Sequence, residues 1–317
     1  MSRILGQYRQ TAEIGFSERH FTHPCSRKEV AIFLLIVCAL AGPVCPEETS
    51  PQDSPATQQL AAKIEIPIHL DDNLVIVKAI VAGQRNVNMI LDTGTSPSSI
   101  TKALADTLKL PRDVTALRSL NGTIRAESVV LPAVDFGPLH TAPLRVIVQD
   151  LSFVERNLGI RLGGIIGLDI LTKSSFTIDY QRKSITFGAL PPGLKTVAFA
   201  ATSPSLTVYA KIDGQKVRLL IDSGTEGLVL YRNRVTAMPA APHFDRSASI
   251  STISGSNRLS WLKTRVSIGE EDLGKREIAI ADIDSNFGDE FDGLMGFAQM
   301  GFHRVGFDFE NGRFGWD

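Results

Sequence analysis

Two aspartates carry most of the chemical content of this chain. Asp92 closes the apolar run in MILDTGTS and Asp222 closes the one in LLIDSGTE, each followed by a small hydroxyl residue and a glycine. A carboxylate at the end of an apolar stretch is costly to place unless its charge is used. One Asp-Thr/Ser-Gly alone reads as a turn after a strand, since Asp, Ser and Gly are turn formers. Two copies point instead to two carboxylates brought together. Such a pair holds a single proton over a working range, because the second ionisation must be made against the first charge. The ionised member can then take a proton from water while the protonated member donates one to a carbonyl.

The surroundings of the two aspartates repeat in one order. Asp92 and Asp222 stand 130 residues apart. GGIIGLD places Ile165, Ile166 and Gly167; DGLMGFA places Leu294, Met295 and Gly296, with Gly167 and Gly296 129 apart. Asp179 in FTIDYQRKSITFG and Asp308 in VGFDFENGRFGWD keep the same offset of 129. Upstream, VKAIVAGQRNVNMILD parallels VYAKIDGQKVRLLID. Each reads as a strand, a turn at Gly83-Gln84 or Gly214-Gln215, and a second strand that delivers the aspartate. Landmarks in one order at one offset indicate an internal duplication. Two copies of this length are too few and too long for a stacked array, so the expectation is two similar lobes facing each other.

The elements that must hold the aspartates read as strands. KIEIPIHL, LVIVKAIVAG, VNMILD, RVIVQD, SFTIDY and SITFG are short, rich in Val, Ile, Thr and Phe, and separated by turn residues. A short helix is expected at 100–110, where Ile100, Leu104 and Leu108 share a face, and another at 168–172. The expected class is all-β with few short helices, in lobes covering 64–190 and 191–317. The Pro-Pro-Gly at 191–193 opens the connection between them.

This pattern resembles the pepsin-like and retropepsin-like aspartic proteases, especially retropepsin-like proteins of bacterial type with both halves in one chain. The likeness covers 64–317 and rests on apolar-Asp-Thr/Ser-Gly followed by apolar-apolar-Gly, each present twice. It implies the acid-protease fold, two pseudo-symmetric β lobes with a cleft between them. It also implies that Asp92 and Asp222 are catalytic and activate water without a covalent acyl-enzyme. Thr93 and Ser223 match positions whose hydroxyls cross-link the two loops. Gly94 and Gly224 lack Cβ and let N–H groups approach the carboxylates. Thr95 and Thr225 can donate hydroxyls to the adjacent carboxylate, which lowers its pKa and favours an acidic optimum. Ile165, Ile166 and Gly167, with Leu294, Met295 and Gly296, match the segment that braces the catalytic loop from behind.

In this family mobile hairpins cover the cleft. Asn121-Gly122 is a strong hairpin turn, and Ser254-Gly255 is its counterpart, so these are the expected flap positions. Neither segment carries the Tyr common in pepsin-like flaps. Glu226 stands where the first half has Ser96, a third acid expected to face solvent.

Other chemistries find little support. Lys and Arg total 33 against 34 Asp and Glu, a net charge of −1 with no basic run, which excludes nucleic acid as the partner. There is no G-x-S-x-G elbow and no H-E-x-x-H helix, and the six histidines are scattered. Asp282, Asp284, Asn286, Asp289 and Asp292 are spaced only loosely like a calcium loop. Gly288 falls one place late and no Glu closes the loop. No metal and no cofactor are expected. Asn121-Gly122-Thr123 is a formal glycosylation sequon, meaningful in a secretory eukaryotic host.

Residues 1–45 read as an N-terminal extension with an export signal. Arg27 and Lys28 precede VAIFLLIVCALAG, thirteen uncharged residues, where a membrane span needs about twenty. Ala39-Leu40-Ala41 offers the small residues of a cleavage site; uncleaved, the run would be a membrane anchor. Residues 46–63 are polar and contain proline, a flexible tether. Cys25, Cys38 and Cys45 all precede the lobes, so no disulfide staples the core. Val44 is bulkier than the residue that precedes a lipid-attachment cysteine. The resemblance thus implies an exported aspartic endopeptidase, periplasmic or extracellular and active as a monomer, that takes a peptide or protein in extended form. The alternatives are a non-catalytic peptide-binding protein on the same scaffold and a highly selective envelope-processing protease.

Overall fold

Each half is built on the same antiparallel hairpin. Leu74–Val81 pairs with Gln84–Leu91 in the first half, and Ser205–Ile212 with Gln215–Ile221 in the second. The turns match residue for residue. Ala82 and Gly83 have φ of 48° and 82°; Asp213 and Gly214 have 50° and 84°. Two consecutive positive φ angles give the turn whose twist suits a tight hairpin, and glycine accepts that geometry without strain. The computed structural model describes residues 63–317 apart from 72–73, 120–121, 203–204, 235–245, 253–254, 283–286 and 288–289. The expected export signal, the tether as far as residue 62 and all three cysteines lie outside the described residues. No helix among the described residues is long and apolar enough to cross a membrane.

Behind each hairpin a short strand runs parallel to the one that delivers the aspartate. Gly164, Ile165 and Ile166 stand opposite Met89, Ile90 and Leu91; Gly293, Leu294 and Met295 stand opposite Leu219, Leu220 and Ile221. The same short strands pair antiparallel with the strand after each aspartate loop, Ser99–Thr101 or Leu228–Tyr231. Those in turn pair in parallel with Leu144–Gln149 and Glu271–Ala281. A 10-stranded and an 8-stranded sheet result, with matching connections around the two aspartates.

A third, 6-stranded sheet joins the halves. Its order is Ile64–Pro67, Ser184–Phe187, Phe176–Asp179, Arg304–Asp308, Arg313–Trp316, Lys195–Ala198. Three strands come from either side of residue 190, and Phe176–Asp179 meets Arg304–Asp308 at the seam. Phe176 and Phe307 lie 4.9 Å apart there, and Phe314 stacks on Trp316 at 5.7 Å. One core cluster runs through both halves, from Ile68 to Trp316. Burial of each such aromatic is worth ~1.5–3 kcal/mol, so the seam is a main source of cohesion. The two matching halves are joined through this sheet.

The fold is all-β with short helices, as expected; their bounds differ in detail. Ile100 belongs to the Ser99–Thr101 strand, and the helix is Lys102–Leu108 rather than 100–110. Thr101 stops its extension backwards: it is extended and its hydroxyl accepts the Leu104 N–H at 3.3 Å, a capping arrangement. The helix expected at 168–172 spans Leu168–Leu171. A third, Ser152–Leu158, was not anticipated. KIEIPIHL divides at Ile68: Ile64–Pro67 joins the shared sheet, while His69–Asp71 pairs with Leu74–Val81.

Candidate active site

The two aspartate loops are held by the same bonds at nearly the same lengths. Asp92 N–H donates to Ile166 O at 3.0 Å and Asp222 N–H to Met295 O at 3.0 Å, so each bracing strand fixes the start of its loop. Gly94 N–H donates to Asp92 Oδ1 at 2.8 Å, as Gly224 N–H does to Asp222 Oδ1 at 2.8 Å. Thr95 and Thr225 donate their hydroxyls to the second carboxylate oxygen, each at 2.7 Å.

Four further bonds cross between the loops. Thr93 Oγ1 donates to Ile221 O and accepts the Ser223 N–H; Ser223 Oγ donates to Leu91 O and accepts the Thr93 N–H, all at 3.0 Å. Each hydroxyl uses one donor and one acceptor role, which leaves the buried junction satisfied. A residue without a hydroxyl at either position would orphan two backbone groups.

The carboxyls meet at this junction. A Cβ placed on Gly94 would fall 2.6 Å from Asp222 Cγ, so only glycine lets that loop approach the opposite carboxyl. Asp92 and Asp222 are within hydrogen-bonding reach of one another, and both are fully buried. Burial raises the pKa of each above the ordinary 3.8. For Asp222 the charge of Asp92 adds to burial and pushes it well above. Thr95 and Thr225 do lower the values, as the sequence suggests, but burial outweighs them. Burial and the two hydroxyls thus act in opposite directions, and the net shift of both carboxyls is upward.

The glycines of the bracing segments act by close approach. A Cβ at Gly167 would lie 2.5 Å from Thr95 O, and one at Gly296 1.8 Å from Thr225 O. Gly164 and Gly293, not singled out from sequence, are equally confined: their Cβ atoms would lie 2.0 Å from Ser99 O and 2.1 Å from Val229 O. Ile165, Ile166, Leu294 and Met295 are fully buried, with no side-chain group for chemistry.

One support exists in the first half alone. Ser98 donates its N–H to the Asp169 carboxylate at 3.0 Å and its hydroxyl to the same group, and Gly167 N–H donates to Ser98 Oγ at 2.8 Å. Burial raises the Asp169 pKa despite these bonds. The equivalent second-half positions are Leu228 and Ala298. The second half has its own buried polar group, Tyr231, whose hydroxyl finds no hydrogen-bond partner among the described residues. Burial, and then the nearby Asp222 charge, push that phenol well above its ordinary range.

The expected flap turns fall at strand connections. Ser119 is opposite Gly122, which has φ 130°, between Asp113–Ser119 and Gly122–Leu131; Asn121 lies outside the described residues. Thr252 is opposite Gly255, between Arg246–Thr252 and Gly255–Ile268; Ser254 also lies outside them. Leu117 of the first hairpin packs with Ile90 and Ile165, and Trp261 of the second with Leu220 and Leu294. Both hairpins thus pack on the strands that carry the dyad. Glu226 and Ser96 are both half-buried. Of the acidic stretch, Asp282 pairs with Arg232 at 3.2 Å and Asp292 accepts the Arg218 N–H at 2.8 Å; Asp284, Asn286 and Asp289 lie outside the described residues.

A doubled aspartate loop joined by reciprocal hydroxyl bonds, on two matching β lobes, is the arrangement of the acid-protease fold. A family model described as aspartyl protease matches residues 77–170, a span that contains Asp92, the first hairpin and Ile165-Ile166-Gly167. By that match this part of the chain is similar to the retropepsin-like aspartyl proteases. No curated protein matches the chain.

Proposed function

We propose that this protein is an exported aspartic endopeptidase that hydrolyses peptide bonds by activating water between Asp92 and Asp222. The observation that carries the reading is the pair of buried carboxyls within hydrogen-bonding reach, each held by the same loop. With one proton on the pair, the ionised carboxylate takes a proton from water as the water oxygen attacks the scissile carbonyl carbon. The protonated carboxyl donates to the carbonyl oxygen. The resulting diol collapses when the amide nitrogen is protonated and the C–N bond breaks, which leaves one proton on the dyad. Thr93, Ser223 and the two glycines keep the carboxyls in place; the bracing segments fix the loops. Gly122 and Gly255 mark hairpins that cover an extended substrate.

Both loops reside in one chain, which supports a monomeric enzyme, and the repeated landmarks support an internal duplication. The apolar run at 30–42 supports export to the periplasm or exterior. Retention of the complete loop on both sides weighs against a purely binding role, since a binder has no need of two carboxylates at one point.

The test uses residues 46–317 as wild type, Asp92→Asn and Asp222→Asn, incubated with a diverse peptide mixture between about pH 3 and 7. Mass spectrometry maps the cuts. Wild-type cuts that fall by about 10²–10⁴-fold or more in both variants establish the dyad. Equal cuts in all three, or none in any, reject generic endopeptidase activity.

A further inference from the structure

Both dyad carboxyls are fully buried, so a substrate that reaches them must first displace part of the protein. The hairpin of Asp113–Ser119 and Gly122–Leu131 contacts both halves of the molecule. On one side Leu117 packs with Ile90, two residues before Asp92, and with Ile165 behind it. The next residue, Arg118, reaches into the second half. Its Nη1 donates to Glu290 Oε1 at 2.6 Å, and its guanidinium carbon sits 4.4 Å from the centre of the Phe287 ring. Phe287 stacks on Phe291 at 5.2 Å, which contacts Tyr231 at 6.1 Å. These three rings share a cluster with Leu220 and Leu294, the counterparts of Ile90 and Ile165. Glu290 is itself anchored: Arg218 Nη1 donates to its backbone oxygen at 3.1 Å.

We infer that Arg118 and Glu290, with Phe287 beneath the guanidinium, form a latch that holds the first hairpin closed across the dyad. The resting protein is therefore shut, and substrate binding proceeds through opening of this latch. Only its consequence for turnover rests on the endopeptidase reading; the closure is a property of the fold. The side chains of Arg118 and Glu290 are 30% and 36% exposed, so salt reaches the ion pair.

Hydrogen exchange read by mass spectrometry tests this on the same chain as wild type, Glu290→Gln, Arg118→Gln and Arg118→Lys, at low salt and at about 0.5 M NaCl. Amides across 113–131 should exchange about fivefold faster in Glu290→Gln and Arg118→Gln. Arg118→Lys keeps a cation and should fall between them and wild type. Salt should speed the wild-type hairpin and leave Glu290→Gln unchanged, while the Ser205–Ile212 and Gln215–Ile221 hairpin keeps its rate throughout. Unchanged exchange at 113–131 in both Gln variants would overturn the latch, as would equal acceleration in the second-half hairpin, the sign of general loosening. Peptide cleavage by the same proteins separates the two ideas. Faster exchange with no cutting by any variant keeps the latch and removes the endopeptidase reading; cutting with unchanged exchange does the reverse.

Discussion

At the residue scale, Thr93 and Ser223 do more for the dyad than their modest chemistry suggests. Thr93→Ala orphans the Ser223 N–H and the Ile221 carbonyl and should cost about 2–4 kcal/mol, two buried groups at roughly 1–2 each. Thr93→Ser keeps the hydroxyl and should cost far less. Chemical denaturation of the two variants beside wild type measures the difference.

A second expectation concerns pH. Asp222 is raised in the folded protein, first by burial and then by the Asp92 charge. The folded state therefore holds that proton more tightly than the unfolded chain does, where the value is near 3.8. Stability from this group is complete below 3.8 and falls as pH rises through the raised folded value. Asp222→Asn does not titrate, so it should melt higher than wild type at pH 7, with the gap closing as the pH approaches 3.8. Melting curves across that range check the sign.

Asp92 and Asp222 were legible because the tripeptide occurs twice in matched surroundings. The net direction of their pKa shifts was not: the hydroxyls are visible in the sequence, whereas complete burial is a property of the assembled molecule. Ser98 and Asp169 were missed for another reason. They are 71 residues apart and occur in one half only, so a reading guided by repetition passes over them.

At the element scale, the strands that deliver and brace the aspartates are what the sequence announced. The turns before the aspartates follow from Gly83 and Gly214, whereas the parallel pairing behind each loop is seen only in the structure. The need for Gly164 and Gly293 was hidden, since it arises from carbonyls of the strands they cross, Ser99 O and Val229 O. Gly296→Ala would drive a Cβ to 1.8 Å from Thr225 O and should cost more than about 3 kcal/mol or prevent folding. Gly214→Ala meets no atom within 4 Å, though its φ of 84° still carries strain; it should cost only about 1–2 kcal/mol. Comparing the two by thermal melting separates steric exclusion from backbone preference. The helix at Ser152–Leu158 ends at Gly159 in a left-handed conformation, a stop signal that the sequence did offer.

At the scale of the whole molecule, the shared sheet decides what counts as a folding unit. The two repeats are visible in the sequence. Nothing in either repeat, read alone, tells that Phe176–Asp179 will pair with Arg304–Asp308. The segments 63–190 and 191–317 made separately should each lack a cooperative melting transition, because Phe176 and Phe307 lose each other as cover. Mixed, they should regain one, with a midpoint that depends on concentration; calorimetry on each segment and on the mixture would show it.

That seam also sets an order of events during synthesis. A strand completed at Asp179 must wait until residues 304–308 have left the ribosome before its neighbour exists. The backbone partners of Thr93 at Ile221 and Ser223 arrive late as well. Asp92 is thus translated long before it has a second carboxyl to share a proton with, and a nascent chain carries half of a site that is inert by construction.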